Sequence, residues 1–156
     1  MEQEYALRIR EAKEYALRSL TCREQTEYQL SEKLRRRDYS PEIIREVMDY
    51  LKEYNYINDD RFLEQYIAGH CHRMNRTQLE RKLYSYGFRQ LRLDDYLNNI
   101  GYDEESVLSS QLSSYIRKKD LTDDLNDPLI RKKVISHFVN KGFSYRTVLH
   151  LLQETT

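Results

Sequence analysis

The chain has 156 residues, 33% of them charged, with 4 Gly, 2 Pro and no Trp, a composition that favours helices on short connections over sheet. Its 26 basic and 26 acidic side chains cancel, so the total charge implies no global steering toward nucleic acid and leaves any such contact to local charge. Cys22 and Cys71 are far apart, the start MEQEYALRIR has no apolar signal core, and the longest stretch without Asp, Glu, Lys or Arg is residues 106–116; the expectation is a cytoplasmic protein without disulfides or membrane contact.

Tyr5, Ile9, Ala12, Ala16 and Leu20 recur at helical period and predict one amphipathic helix from about residue 4 to residue 20. Thr21 to Glu24 reads as a capping box opening a second helix that runs to about Arg37. Asp38-Tyr39-Ser40 is a turn, and Ser40 as N-cap with Pro41 at the first helical position starts a third helix, to about Tyr54, with Ile44, Val47, Met48 and Leu51 inward. Asn58-Asp59-Asp60 caps a fourth helix carrying Phe62, Tyr66 and Ile67, and Asn75 to Gln78 starts a fifth, closed by Gly87 in a left-handed conformation. The sixth holds Leu93, Tyr96, Leu97 and Ile100 before Gly101. Asp103 caps the seventh, with Val107, Leu108 and Leu112 inward. Asp120 to Asp127 is an acidic loop expected to be mobile. Asp127-Pro128 opens the eighth helix, Gly142 closes it, and Ser144 caps the ninth.

These elements repeat. The stripes Leu30/Leu34, Leu79/Leu83 and Val134/Phe138 are offset by 49 and then 55 residues, and each precedes an aromatic residue five positions before an aliphatic one: Tyr39/Ile44, Phe88/Leu93 and Phe143/Val148. Such pairs are hydrophobic staples that fix the entry angle of a helix, although Arg89 stands at the cap position of the middle copy. Periods near fifty belong to helical repeats. The expected fold is all-α, an elongated array of three tandem three-helix repeats at residues 1–55, 56–102 and 103–156, each marginal alone and stabilised by its neighbours. The 14 Tyr suit half-exposed cores, since the ring is buried while the hydroxyl reaches water.

No catalytic constellation emerges. Gly-rich phosphate loops and a G-x-S-x-G turn are absent. In His70-Cys71-His72, residues two apart on a helix point about 160° away from each other, so one metal site cannot use both histidines; neither metal nor cofactor is expected. Basic runs lie at Lys33 to Arg37, Arg117-Lys118-Lys119 and Arg131-Lys132-Lys133. Phosphate contact is one reading. The other is that cations gather in the last turn of a helix because the dipole favours them there, which fits Arg35 to Arg37 and residues 117–119 but not Lys132 and Lys133, placed early in a helix.

The strings A-x-x-x-A-L-x-x-L at Ala12 to Leu20, R-E-Q-T-E-Y-Q-L-S-E-K-L at Arg23 to Leu34, Y-I-N-D-D-R-F at Tyr56 to Phe62 and K-G-F-S-Y at Lys141 to Tyr145 resemble the RecX family, regulators of the bacterial recombinase RecA. Gln25 stands where the family commonly has Arg, and Asn75 near a common Gly. The resemblance implies a curved array of three three-helix units. It also implies binding in the groove of the RecA filament on single-stranded DNA, with inhibition of ATP hydrolysis, strand exchange and filament growth; no enzymatic activity is expected, the even charge balance points to weak binding of free single-stranded DNA, and a monomer is expected. The residues nominated for filament or DNA contact are Arg23, Lys33, Arg35, Arg36, Arg37, Arg76, Lys82, Lys132, Lys133, Lys141 and Arg146. Two alternatives stand beside this one: a helical DNA-binding protein acting alone, and a helical adaptor for another partner. Outward Glu42, Arg45, Glu46, Asp94 and Asp95 on the third and sixth helices speak against base reading.

Overall fold

The computed structural model describes residues 1–155 and contains, among them, nine helices and no strand. The first repeat is α1 (Glu2–Cys22), α2 (Glu27–Arg36) and α3 (Pro41–Glu53). In α1, Ala12 and Ala16 are fully buried, and their small side chains let the helix lie close on α3. The α2 start differs from the sequence expectation. Helix α1 continues through Thr21, whose hydroxyl donates to the Arg18 carbonyl at 2.6 Å, and Glu24 pairs with Arg61 instead of capping. The capping box is formed five residues later: Gln29 N–H donates to Thr26 Oγ1 (3.2 Å) and Thr26 N–H to Gln29 Oε1 (2.9 Å). This choice places Leu30 and Leu34 on one buried stripe. Helix α3 opens as expected, with Ser40 Oγ accepting from Ile43 N–H.

The second repeat is α4 (Asp59–His70), α5 (Arg76–Ser85) and α6 (Leu93–Asn99). Asn58 caps α4 by accepting from Arg61 N–H, and Asn75 and Gln78 exchange two hydrogen bonds at the start of α5 (2.7 and 3.0 Å). The sixth helix is shorter than expected. Arg89 offers no capping oxygen, so helix begins only after Arg92, which makes no side-chain cap either. Leu93 is therefore the first helical residue and cannot be the fourth-position half of a staple. Phe88 instead joins Phe62, centroids 6.2 Å apart, in a cluster with Tyr66 and Tyr86, and Ile100, expected inward, is 47% exposed.

The third repeat is α7 (Glu104–Lys119), α8 (Pro128–Asn140) and α9 (Tyr145–Thr155). Asp103 and Asp127 cap the first two through their carboxylates, and Ser144 Oγ caps the third by accepting from Thr147 N–H. Phe143 and Val148 are both buried in one core with Phe138. The acidic loop is tethered: Leu125 is buried in the same core and Leu121 packs against it.

Compactness does not follow the repeats. One compact unit is Met1–Tyr66 with Leu83–Gln90, the other Ile67–Lys82 with the chain from Leu91 onward, so the middle repeat is shared. A recurring joint explains the division. In the first unit, the N-cap Thr26 donates its hydroxyl to the Tyr86 carbonyl at 2.7 Å. In the second, the N-cap Asn75 donates its amide to the Lys141 carbonyl at 2.9 Å. The residue after each carbonyl is a glycine at positive φ, Gly87 (106°) and Gly142 (113°). A Cβ on Gly87 would lie 2.5 Å from Tyr28 Cβ, and one on Gly142 would lie 2.6 Å from Thr77 Cβ. The start of one repeat's middle helix thus receives the end of the next repeat's middle helix, and a side chain at that point has no room. At the corresponding turn of the first repeat Asp38 also has positive φ (63°) and carries a Cβ, as Asp can in the left-handed region.

Candidate functional site

In the first unit, Lys33 of α2 is half-buried and donates to Ser19 Oγ at 3.0 Å, beside Gln25, whose amide donates to the same oxygen. Arg35 is paired with Glu32, and the Arg37 guanidinium lies 3.9 Å over the Tyr15 ring. Arg23 and Arg36 are exposed. Lys33, Arg35 and Arg36 occupy the last turn of α2, where the helix dipole favours cations.

In the second unit, Arg76 is paired with Asp94 and with Glu80. Lys82 of α5 and Arg146 of α9 are exposed. Lys132 and Lys133 are the fifth and sixth residues of α8, beyond the first turn, where the dipole effect fades; their cost to the helix is smaller than the sequence expectation. Both are exposed, and Lys132 borders a groove with Ile135, Val139 and Tyr145. Lys141 caps α8 at its end, its ammonium 5.6 Å from the Phe138 ring.

Arg35 lines a groove with Arg45 and Lys52 that also holds Glu27 and Asp49, whereas Lys141 enters a pocket whose cations have no carboxylate beside them. This pocket, about 430 Å³, lies between α7, the turn after α4 and the end of α8, and Arg73, His72, Lys118 and Lys141 are on its wall. The sequence gives no sign of Arg73, offers His72 only as a metal candidate, and leaves Lys118 between phosphate contact and dipole decoration. A usable signal existed in Ser110, Ser114 and Lys118, spaced by four and so on one helix face, but nothing local brings Arg73 and Lys141 to that face. Close by, the His137 ring packs tilted against Tyr115, centroids 4.5 Å apart, and is held below the ordinary histidine value, first by burial and then by the positive charges of Lys141 and Lys119. Among the described residues no group of three or more His, Cys, Asp or Glu could hold a metal ion, and no helix is long and apolar enough to cross a membrane.

A family model described as the first three-helix domain of RecX matches residues 12–51, the stretch from mid-α1 to near the end of α3. The chain is 24% identical over 148 residues to the regulatory protein RecX of Clostridium acetobutylicum, covering 92% of this chain and 68% of that one. With the regulatory protein RecX of Clostridium perfringens it shares 28% identity over 136 residues, 85% of this chain and 63% of the other. The chain is thus similar to regulatory RecX proteins over most of its length. Among solved structures, RecX from Lactobacillus salivarius superposes with a TM-score of 0.73 at 22% identity, over 96% of this chain and 97% of the other. That similarity shows a shared fold. The chain spans about two thirds of the length of these clostridial relatives.

Proposed function

We propose that this chain regulates a RecA-type recombinase by binding its filament on single-stranded DNA and lowering ATP hydrolysis, strand exchange and filament growth, without catalysing a reaction itself. The observation that carries the reading is the similarity to regulatory RecX proteins over 85 to 92% of the chain. The recurring joint supports it physically. Modules built on one plan offer related surfaces to a repeating target, and each contact after the first is intramolecular. Mixed charge suits a protein surface better than naked DNA: α3 turns Glu42, Arg45 and Glu46 outward, and α6 turns Asp94 and Asp95 outward. Two acidic side chains on a seven-residue helix make a poor reader of base edges.

The test is DNA-dependent ATP hydrolysis by the cognate recombinase with increasing amounts of this protein. A progressive slowing, with no hydrolysis by the protein alone, is expected. An unchanged rate at saturation would refute the reading.

A further inference from the structure

The molecule is electrically neutral as a whole, and several of its cations face carboxylates, Arg35, Arg61 and Arg76 among them. The cations around one pocket of the second unit do not. Arg73, Lys118 and Lys141 share its wall with His72, no Asp or Glu lines it, and none of the three forms an ion pair among the described residues.

The polar groups between these charges are donors in suitable places. Helix α7 presents Ser110 and Ser114 on the same face as Lys118. Their short side chains hollow the wall and leave hydroxyls facing the space. Gln111 on the same wall spends its amide on the Arg73 carbonyl at 2.6 Å, which holds the turn carrying Arg73 against α7. Its Oε1 is buried and takes no hydrogen bond. Three cations, two hydroxyls and a volume of about 430 Å³ match a group with several acceptor oxygens and one or two negative charges, for which Arg and Lys are the usual partners.

We infer that the pocket formed by Arg73, Lys118 and Lys141 with Ser110 and Ser114 is a phosphate-binding site. The phosphate comes either from the backbone of a single nucleic-acid strand or from a free phosphorylated compound. The site deepens the proposed function, on which it rests only for the expectation that a strand is near; the phosphate contact is tested with no recombinase present.

Two probes separate the sources. Amide chemical shifts of the unmodified protein are followed while pyrophosphate is added, and binding of a fluorescent fifteen-nucleotide oligothymidylate is measured by anisotropy at two salt concentrations. The pocket residues, Ser110 and Ser114 foremost, are expected to shift with pyrophosphate. Oligonucleotide binding is expected to weaken at least about tenfold in the Arg73→Gln, Lys118→Gln, Lys141→Gln triple variant, with the salt slope falling by about 2, at roughly 0.7 per phosphate contact. Arg10→Gln, on α1, is the control and leaves both unchanged. Pocket shifts with pyrophosphate but no oligonucleotide binding assign the site to a free phosphorylated compound. Absence of both responses, or an oligonucleotide affinity and slope unaltered in the triple variant, overturns the inference. A positive result here with an unchanged recombinase ATPase would leave the phosphate site standing and remove the proposed function.

Discussion

Replacing Gly142 by Ala should be among the most damaging small changes available in the second unit. Two costs combine. At φ 113° an L-residue is strained by about 1–2 kcal/mol, and the new Cβ would stand 2.6 Å from Thr77 Cβ and 2.9 Å from its hydroxyl oxygen. Both contacts involve a short side chain at the start of α5 that has no flexible end to swing away, so the clash adds about 1–3 kcal/mol of overpacking. Separation of the joint would also weaken the Asn75 amide bond to the Lys141 carbonyl. The expected loss is about 2–5 kcal/mol, read by urea denaturation of the variant and the parent. A cycle with Thr77→Gly isolates the steric part: the pair should couple by about 1–3 kcal/mol, the Cβ clash being gone in the double variant while the backbone strain persists. Asp38→Gly, at the corresponding turn of the first repeat, should be near neutral or slightly stabilising. If Gly142→Ala costs less than about 1 kcal/mol, or if the cycle shows no coupling, the joint does not require an absent side chain and the reasoning fails.

Phe143→Ala removes a ring that is 3% exposed and packs edge-on against Phe138, so it should destabilise by roughly 3 kcal/mol or more in thermal or chemical unfolding. Changing Lys132 and Lys133 to Gln should leave the melting temperature nearly unchanged yet weaken filament binding and its salt dependence; an unaltered filament affinity would remove them from the interface. The same change at Arg35, Arg36 and Arg37 should cost up to about 1 kcal/mol, through the helix dipole, the exposed pair with Glu32 and the stacking on Tyr15, and a variant more stable than its parent would contradict this.

Helix starts were legible wherever one side chain could decide them. Ser40, Asn58, Asn75, Asp103, Asp127 and Ser144 cap helices in the structure as their residue types require, because a cap bond spans only two or three residues. Where two local patterns competed, sequence alone chose wrongly: Thr21-to-Glu24 and Thr26-to-Gln29 both satisfy the capping-box pattern, and tertiary burial of Leu30 and Leu34 selects the second. The late start of α6 escapes the sequence for the converse reason, since periodicity predicts apolar faces and the segment after Arg89 has the face without the cap. Gly87 and Gly142 were readable as left-handed residues, but not as points of close approach, because Tyr28 and Thr77 lie in a different repeat. The cationic pocket is the extreme case. Arg73, Lys118 and Lys141 come from a turn, a helix and a helix end, and only the packing of the second unit makes them one site.

The two joints are written in backbone. The acceptor in each is a main-chain carbonyl and the close approach needs only a missing side chain, so nothing in the joint specifies which residue supplies the oxygen. Tyrosine does so at position 86 and lysine at position 141, and their side chains are free for other tasks: Tyr86 enters an aromatic cluster with Phe62 and Tyr66, while Lys141 lines the cationic pocket. A module held together in this manner can drift widely in sequence while keeping its register, provided the glycine and a capping donor survive. That latitude accords with a fold shared at a TM-score of 0.73 by two chains that are only 22% identical, and it lets neighbouring modules diverge in chemistry without renegotiating how they meet.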